Sequence, residues 1–165
     1  MNKELRKVNV TLAFKRITKE SAIESKLIGW WTNGKYSHSE IIIDNYWISS
    51  RMKDGVHVKK LKKLKNTYDY LELPSVYMTE IEYINLFKWI RVQEHKEYDK
   101  MGIVFSQFLP FRLDSRDKWF CSEIDTKILQ ILRYYYIMDK LPHTVDPVLL
   151  HKLTKEYLNS IKTKG

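Results

Sequence analysis

The sequence offers little that could cross-link the chain or hold a metal ion. It contains one cysteine, so no internal disulfide can form, and its five histidines lie apart without the paired spacing of a zinc site. Glycine and proline are also scarce, and no repeat, linker or low-complexity tract is visible. We therefore expect no structural metal and no cofactor.

Long apolar stretches are missing as well. No run of about 18 uncharged apolar residues could form a transmembrane helix. The N-terminal residues, MNKELRKVNV, lack the apolar stretch of a secretory signal. We expect a protein that has no transmembrane segment and is not exported by the ordinary route.

What the chain does have is enough apolar material for one core. Of its 165 residues, 44% are hydrophobic and 13% are aromatic. This composition suits a single globular domain over residues 1–165.

Positive charge exceeds negative charge, and the net charge of +9 is unevenly distributed. It concentrates in residues 51–66, RMKDGVHVKKLKKLKN, whose central lysines we call the basic patch: Lys59, Lys60, Lys62, Lys63 and Lys65. Such a patch attracts nucleic acid, anionic lipid or an acidic protein surface through long-range forces that salt screens. The simpler interpretation is a solvated face on a basic protein.

Residue patterning predicts mostly strands in the first half of the chain and helices in the second. Alternation of apolar and polar residues predicts strands over 7–17, 36–44, 46–51, 55–61 and 68–74, the last closed by Pro74. Helical spacing predicts helices over 21–31, 80–94 and 118–135, and one more opened by Asp146 and Pro147. The pattern indicates an α+β fold, in which a small antiparallel sheet packs helices against one side.

The single cysteine, Cys121, lies at the start of the helix predicted over 118–135. In a first helical turn, free backbone N–H groups and the helix dipole stabilise a thiolate. Cys121 also lies on the apolar stripe of that helix, which continues through Ile124, Ile128, Ile131, Leu132 and Tyr135. A reactive thiol and an inert buried thiol both fit this position, and the choice depends on whether a base lies nearby.

A histidine with a neighbouring carboxylate lies on the strand predicted over 36–44. The two-residue period of a strand places Tyr36, His38, Glu40 and Ile42 on one face. Glu40 could then orient the His38 ring or stabilise its imidazolium. His38 is the candidate base for Cys121, although a hydrogen-bonded sheet histidine is the simpler explanation.

Two blocks of the sequence resemble the signature blocks of the circularly permuted NlpC/P60 superfamily of papain-like cysteine hydrolases. The first block is SKLIGWWTNGKYSHSEIIIDNYWISSRMKDGVHVKKL, and the second is YDKMGIVFSQFLPFRLDSRDKWFCSEI. Their YSH-x-E and WFCSE motifs are similar to those of members found in bacteriophage genomes. The resemblance implies a permuted papain-like fold, in which a small sheet or half-barrel packs against helices.

Applied to this sequence, the resemblance implies Cys121 as the nucleophile and His38 as the general base. Many relatives have a glycine where this chain has Glu40, and an acidic residue where it has Ser50. We therefore expect Glu40 to orient His38, with Ser50 as the weaker option.

The resemblance also implies a set of residues that contact the oxyanion or the substrate. The oxyanion is expected at the Cys121 backbone N–H and the Tyr36 hydroxyl. Ser122 and Glu123 complete the set, and we expect Glu123 to satisfy the helix end or a basic neighbour rather than to take part in the reaction.

The activity implied is that of a thiol hydrolase or acyltransferase, which acts on an amide, ester or thioester bond of a peptide, amide or acyl substrate. The implied setting is the host cytoplasm or a virion, with other virion proteins as partners. Two other classes stay open: an inactive virion-structural or interaction protein with the same fold, and a nucleic-acid-binding module that combines the basic patch with Tyr68 and Tyr70 for stacking.

Overall fold

A computed structural model describes residues 4–19, 21, 34–51, 55–94 and 117–163, with the backbone alone at 51 and 117–120. Within these ranges, five strands form one antiparallel sheet in the order β4-β3-β2-β1-β5. The strands are β1 (Arg6–Arg16), β2 (Tyr36–Ile43), β3 (Tyr46–Arg51), β4 (Gly55–Lys60) and β5 (Tyr68–Met78). The helices are α1 (Glu80–Glu94), α2 (Asp117–Ile131) and α3 (Pro147–Lys162), with 3-10 turns at Tyr135–Ile137 and Pro142–Thr144.

The helices and one face of the sheet enclose the main core. β1 directs Val8, Val10, Leu12 and Phe14 into it, because alternate side chains of a strand point to the same side. The helices contribute Tyr83, Leu86 and Ile90 from α1, Ile124, Ile128 and Leu129 from α2, and Leu150 from α3. The predicted α+β fold, a small antiparallel sheet packed against helices, is confirmed.

The opposite face of the sheet carries a smaller apolar cluster. Its buried members are Ala13, Ile42, Trp47 and Tyr68. Because Ile42 belongs to this cluster, the residues two and four positions earlier on β2, Glu40 and His38, also lie on this face of the strand.

Two helices begin at the side-chain caps that the sequence predicts. The Glu82 carboxylate accepts a hydrogen bond from the Thr79 backbone N–H at 2.8 Å, and the Glu82 N–H donates to the Thr79 hydroxyl at 3.3 Å. Asp146 accepts from the Leu149 N–H at 2.8 Å. These caps confirm the predicted starts of α1 and α3.

The prediction that Pro74 closes the last strand is wrong, because β5 continues to Met78. Pro74 lies where the β1–β5 register shifts, between the pairs Val10 with Leu73 and Val8 with Val76. β5 is also an edge strand of the sheet. A bulge on an edge strand tolerates a residue without an N–H group.

One predicted helix stripe and one predicted helix end are partly wrong. Helical spacing in the sequence predicts a buried stripe on α1 of Ile81, Ile84, Phe87 and Ile90, but Ile81 is 70% exposed, and the buried side chains are Tyr83, Leu86 and Ile90. α2 ends at Ile131 rather than at 135, because Arg133 takes a positive φ of 63°. The Tyr134 N–H then bonds the Leu129 carbonyl at 3.0 Å, as in a Schellman-type helix end.

Some predictions fall on residues that the structure does not describe. The helix predicted over 21–31 lies mostly outside the described residues, as does most of the second signature block. The predicted β3–β4 hairpin is present, because Arg51 pairs with Gly55 in an antiparallel ladder. Gly55 has a φ of 67°, a conformation that favours glycine.

Candidate active site

β2 separates from β3 where His38 and Glu40 lie. The ladder between these strands runs from Ile43, opposite Tyr46, to Ile41, opposite Ile48. His38 and Glu40 precede this ladder on β2 and pair only with β1. Since α2 packs against both β2 and β3, the helix that carries Cys121 lies next to the strand segment that carries His38.

The Cys121 sulfur is within hydrogen-bonding contact of the His38 ring. His38 Nε2 also lies 3.2 Å from Oε1 of Glu40. Two residues that are distant in the sequence are therefore neighbours in the fold. The order thiol, imidazole, carboxylate is the arrangement of a nucleophile, its base and an orienting group.

The three side chains are largely shielded from solvent. Cys121 is 1% exposed and Glu40 is fully buried, whereas the His38 side chain is 14% exposed. Solvent therefore reaches the site at the imidazole.

The Glu40 carboxylate is held by several donors. Oε2 accepts a hydrogen bond from the Trp47 indole N–H at 2.6 Å, and Oε1 accepts from the Ser49 hydroxyl and the His38 ring. Burial alone would raise the pKa of Glu40. This effect is outweighed by the hydrogen bond to His38 and the charge of that ring, by the Ser49 hydroxyl and by the charge of Lys65, which together lower the pKa to about 2. Glu40 is therefore ionised over the physiological pH range.

His38 is held as an imidazolium. Burial alone would lower the pKa of His38, but the Cys121 sulfur and the Glu40 carboxylate outweigh it and raise the pKa to about 10. A cationic ring in contact with sulfur is the counter-ion that a nucleophilic thiolate requires.

Cys121 lies just beyond the first turn of α2, not within it as the sequence predicted. The helix begins at Asp117, so Cys121 is its fifth residue and follows the first turn. Because only the first residues of a helix have free N–H groups, the Cys121 N–H lies within the helical hydrogen-bond ladder. The prediction that this N–H is free to hold an oxyanion is therefore wrong.

Tyr36 lies on the opposite face of β2 from His38. The β1–β2 register shifts so that Lys15 pairs with His38 and Arg16 with Tyr36, which reverses the side of Tyr36. Its hydroxyl donates to Asp69 Oδ2 at 2.7 Å and lies 3.1 Å from Nε2 of His151 on α3. The prediction that Tyr36 shares a face with His38 is wrong, and its hydroxyl hydrogen is committed to Asp69.

β3 supplies two groups that the sequence analysis missed. Ser49 and Trp47 both bond Glu40, whereas the predicted alternative, Ser50, has a buried hydroxyl without a hydrogen bond to any described residue. The alternation in YWISSR could have identified them, because Trp47 and Ser49 share a face of β3 and Ser50 does not.

The two residues that follow Cys121 have different surroundings. Ser122 is fully buried. Burial raises the pKa of Glu123, and the charges of Lys127 and His143 partly offset this effect. Oε2 of Glu123 is buried without a hydrogen bond to any described residue, and the role of Glu123 stays a prediction.

The five lysines of the basic patch differ in their surroundings although all five are exposed. Within the described part of the chain, none of them forms an ion pair with a carboxylate. Lys65 Nζ lies 4.6 Å from the centre of the Trp47 ring and 5.2 Å from that of Tyr68. Because Trp47 and Tyr68 are only 7% and 6% exposed, these rings are not available to stack on nucleic-acid bases.

A separate groove of about 480 Å³ lies between β5, α1 and the end of α2. Its walls include Val76, Trp89 and Leu132. None of the candidate catalytic side chains lines it.

Among the described residues, no three or more His, Cys, Asp or Glu side chains are grouped so that they could hold a metal ion. In the same part of the chain, no helix has the length and apolar character needed to cross a membrane.

Comparison with family models, with curated proteins and with solved structures found no match. The resemblance of the two sequence blocks to the permuted NlpC/P60 superfamily therefore stays a prediction.

Proposed function

We propose that this chain is a cysteine-dependent hydrolase or acyltransferase of the permuted NlpC/P60 type, acting on an amide, ester or thioester bond. Cys121 is the nucleophile, His38 transfers the proton, and Glu40 orients the ring. The observation that carries the proposal is the contact between the Cys121 sulfur and an imidazole whose Nε2 lies 3.2 Å from a buried carboxylate.

The proposed reaction has two halves. The Cys121 thiolate attacks the carbonyl carbon, and the tetrahedral intermediate expels its leaving group, which takes a proton from the His38 imidazolium. The product is a thioester between Cys121 and the acyl group. His38, now neutral, removes a proton from water or another acceptor as that molecule attacks the thioester. The tetrahedral intermediate then expels the Cys121 thiolate, which restores the imidazolium–thiolate pair.

The main alternative is a buried thiol without catalytic function. Such a thiol packs as a small apolar group and gains nothing from a charged neighbour. A buried imidazolium–carboxylate pair is costly to desolvate, and in this fold the pair directly contacts the sulfur. This placement favours a reactive thiol.

Alkylation by iodoacetamide near neutral pH tests the proposal, and the single cysteine makes the modified site unambiguous. We expect native protein to react at least about tenfold faster than His38→Gln, because the variant lacks the imidazolium that stabilises the thiolate. A Cys121 that reacts only after unfolding, or equally fast in both proteins, would contradict the proposal.

Incubation with 4-nitrophenyl acetate tests the covalent step. We expect one acetyl group on the intact protein by mass spectrometry, and none on Cys121→Ser. Fast alkylation without acylation would indicate a reactive thiol that is not an acyl-transfer nucleophile, and would refute the acyl-enzyme mechanism.

A further inference from the structure

Asp125 is a buried acid that has no part in the proposed reaction. It is 2% exposed and lies on α2, four residues after Cys121. Residues four apart share a face of a helix. Asp125 therefore lies on the side of α2 that carries Cys121.

The Asp125 carboxyl contacts Ser39, the residue between His38 and Glu40 on β2. Ser39 is fully buried. In the described part of the chain, the Ser39 hydroxyl and Oδ2 of Asp125 have no hydrogen bond of standard geometry, either to each other or to another group. Because buried polar groups need partners, each is the available partner of the other.

The remaining titratable groups around Asp125 come from three elements. His38 and Glu40 approach from β2, and Tyr136 approaches from the 3-10 turn after α2. The Tyr136 hydroxyl is bonded to Thr154 on α3 at 2.9 Å, and Cys121 lies one turn earlier on α2. With one carboxylate and one thiol already nearby, a second anion at Asp125 would be unfavourable.

Burial raises the pKa of Asp125 to about 8, although Ser39 and the charge of His38 oppose this shift. The acid therefore keeps its proton at neutral pH. A protonated carboxyl can donate to the Ser39 hydroxyl, which an ionised carboxylate cannot do.

We propose that Asp125 is a positioning residue which, as a neutral acid, holds the Cys121 helix against the His38 strand through Ser39, and whose ionisation weakens the Cys121–His38 pair. The effect of Asp125 on the reactivity of Cys121 rests on the proposed function, whereas the buried contact between Asp125 and Ser39 does not. Asp125 would thereby set an alkaline limit to the activity.

The first test is the pH dependence of thermal stability in wild type and Asp125→Asn. In the unfolded chain Asp125 has its ordinary pKa of 3.8, and in the fold about 8. The folded protein therefore binds a proton that the unfolded chain has released, and stability falls as pH rises between these values. We expect the melting temperature to fall less from pH 5 to pH 8 in Asp125→Asn than in wild type.

The matched control is Asp139→Asn, since Asp139 is an exposed aspartate beside Lys140. It should follow the wild-type pH profile. Equal losses of melting temperature in wild type and Asp125→Asn would show that Asp125 is not a buried neutral acid, and would overturn the inference.

The second test is the rate of Cys121 alkylation as a function of pH. At pH 6.5 we expect Asp125→Asn to react within about twofold of wild type. Asp125→Leu and Ser39→Ala should react about tenfold more slowly, because they lose the polar contact that holds the Cys121 helix against the His38 strand. Above pH 8, wild type should fall below Asp125→Asn. Ser39→Ala keeps the test decisive if Asp125→Leu fails to fold.

The outcomes separate the two proposals. Slow alkylation of wild type at every pH would refute the proposed function and leave the melting-temperature test of Asp125 valid. Fast alkylation of wild type together with unchanged rates in Ser39→Ala and Asp125→Leu would overturn the positioning role alone.

Discussion

At the residue scale, three donors converge on the Glu40 carboxylate: the His38 ring, the Trp47 indole and the Ser49 hydroxyl. A buried carboxylate without such partners would take up a proton. Because the donors keep Glu40 ionised, the neighbouring imidazole keeps its own proton.

The adjacent serines of β3 form a matched pair for mutation. Ser49→Ala removes a donor from a buried carboxylate, so we expect a loss of about 1 to 3 kcal/mol in the free energy of unfolding. Ser50→Ala removes a buried hydroxyl without a partner among the described residues and should be close to neutral. Urea denaturation measures both, and a larger loss for Ser50→Ala than for Ser49→Ala would refute this account of Glu40.

The strand period was sufficient to place His38 and Glu40 on one face, and the structure agrees. The same rule failed for Tyr36, because the register shift opposite Lys15 and Arg16 has no recognisable residue signature. The contact with Cys121 depends on how α2 packs on the sheet, which no spacing along the chain can specify.

At the scale of elements, helix starts were easier to predict than helix ends. Thr79 and Asp146 cap their helices through local side-chain bonds, and these are visible as sequence motifs. α2 instead ends at Ile131, and Arg133 after it takes a left-handed conformation, where a glycine is the usual signal. The absence of glycine there explains why the predicted helix was too long.

Replacing Arg133 by glycine tests this explanation of the helix end. Glycine adopts the left-handed conformation without the Cβ penalty, so we expect Arg133→Gly to raise the free energy of unfolding by up to about 1 kcal/mol. The lost ion pair with Glu82 has little influence because the Arg133 side chain is 83% exposed. In the control, Lys127→Gly in the interior of α2 should lose about 1 kcal/mol, and a similar loss in Arg133→Gly would disprove the explanation.

At the scale of the whole molecule, the buried titratable groups limit stability at both ends of the pH range. Glu40 contributes stability above its unfolded pKa of 4.5, and this contribution is lost as pH falls through about 2. His38 contributes fully below its unfolded pKa of 6.5, and this contribution is lost as pH rises through about 10. Asp125 lowers stability progressively between 3.8 and about 8.

The three groups together predict that the melting temperature is highest near about pH 4.5, the unfolded pKa of Glu40, because Glu40 contributes above this pH, Asp125 lowers stability as pH rises further, and the His38 contribution is constant below pH 6.5. Calorimetry from pH 3 to pH 10 measures it. In His38→Gln, the decline toward pH 10 should be shallower than in wild type. A wild-type maximum at pH 8 or above would be inconsistent with a protonated Asp125 and a cationic His38.

The pairing of β2 with β1 has a practical consequence for preparing this protein. A slip of one residue would turn both His38 and Glu40 to the other side of the sheet, so a mispaired chain would keep its thiol but lose the imidazole beside it. The fraction of thiol that alkylates rapidly would then count the molecules that have refolded with the right strand alignment. One thiol titration would therefore give the fraction of correctly folded protein in a recombinant preparation.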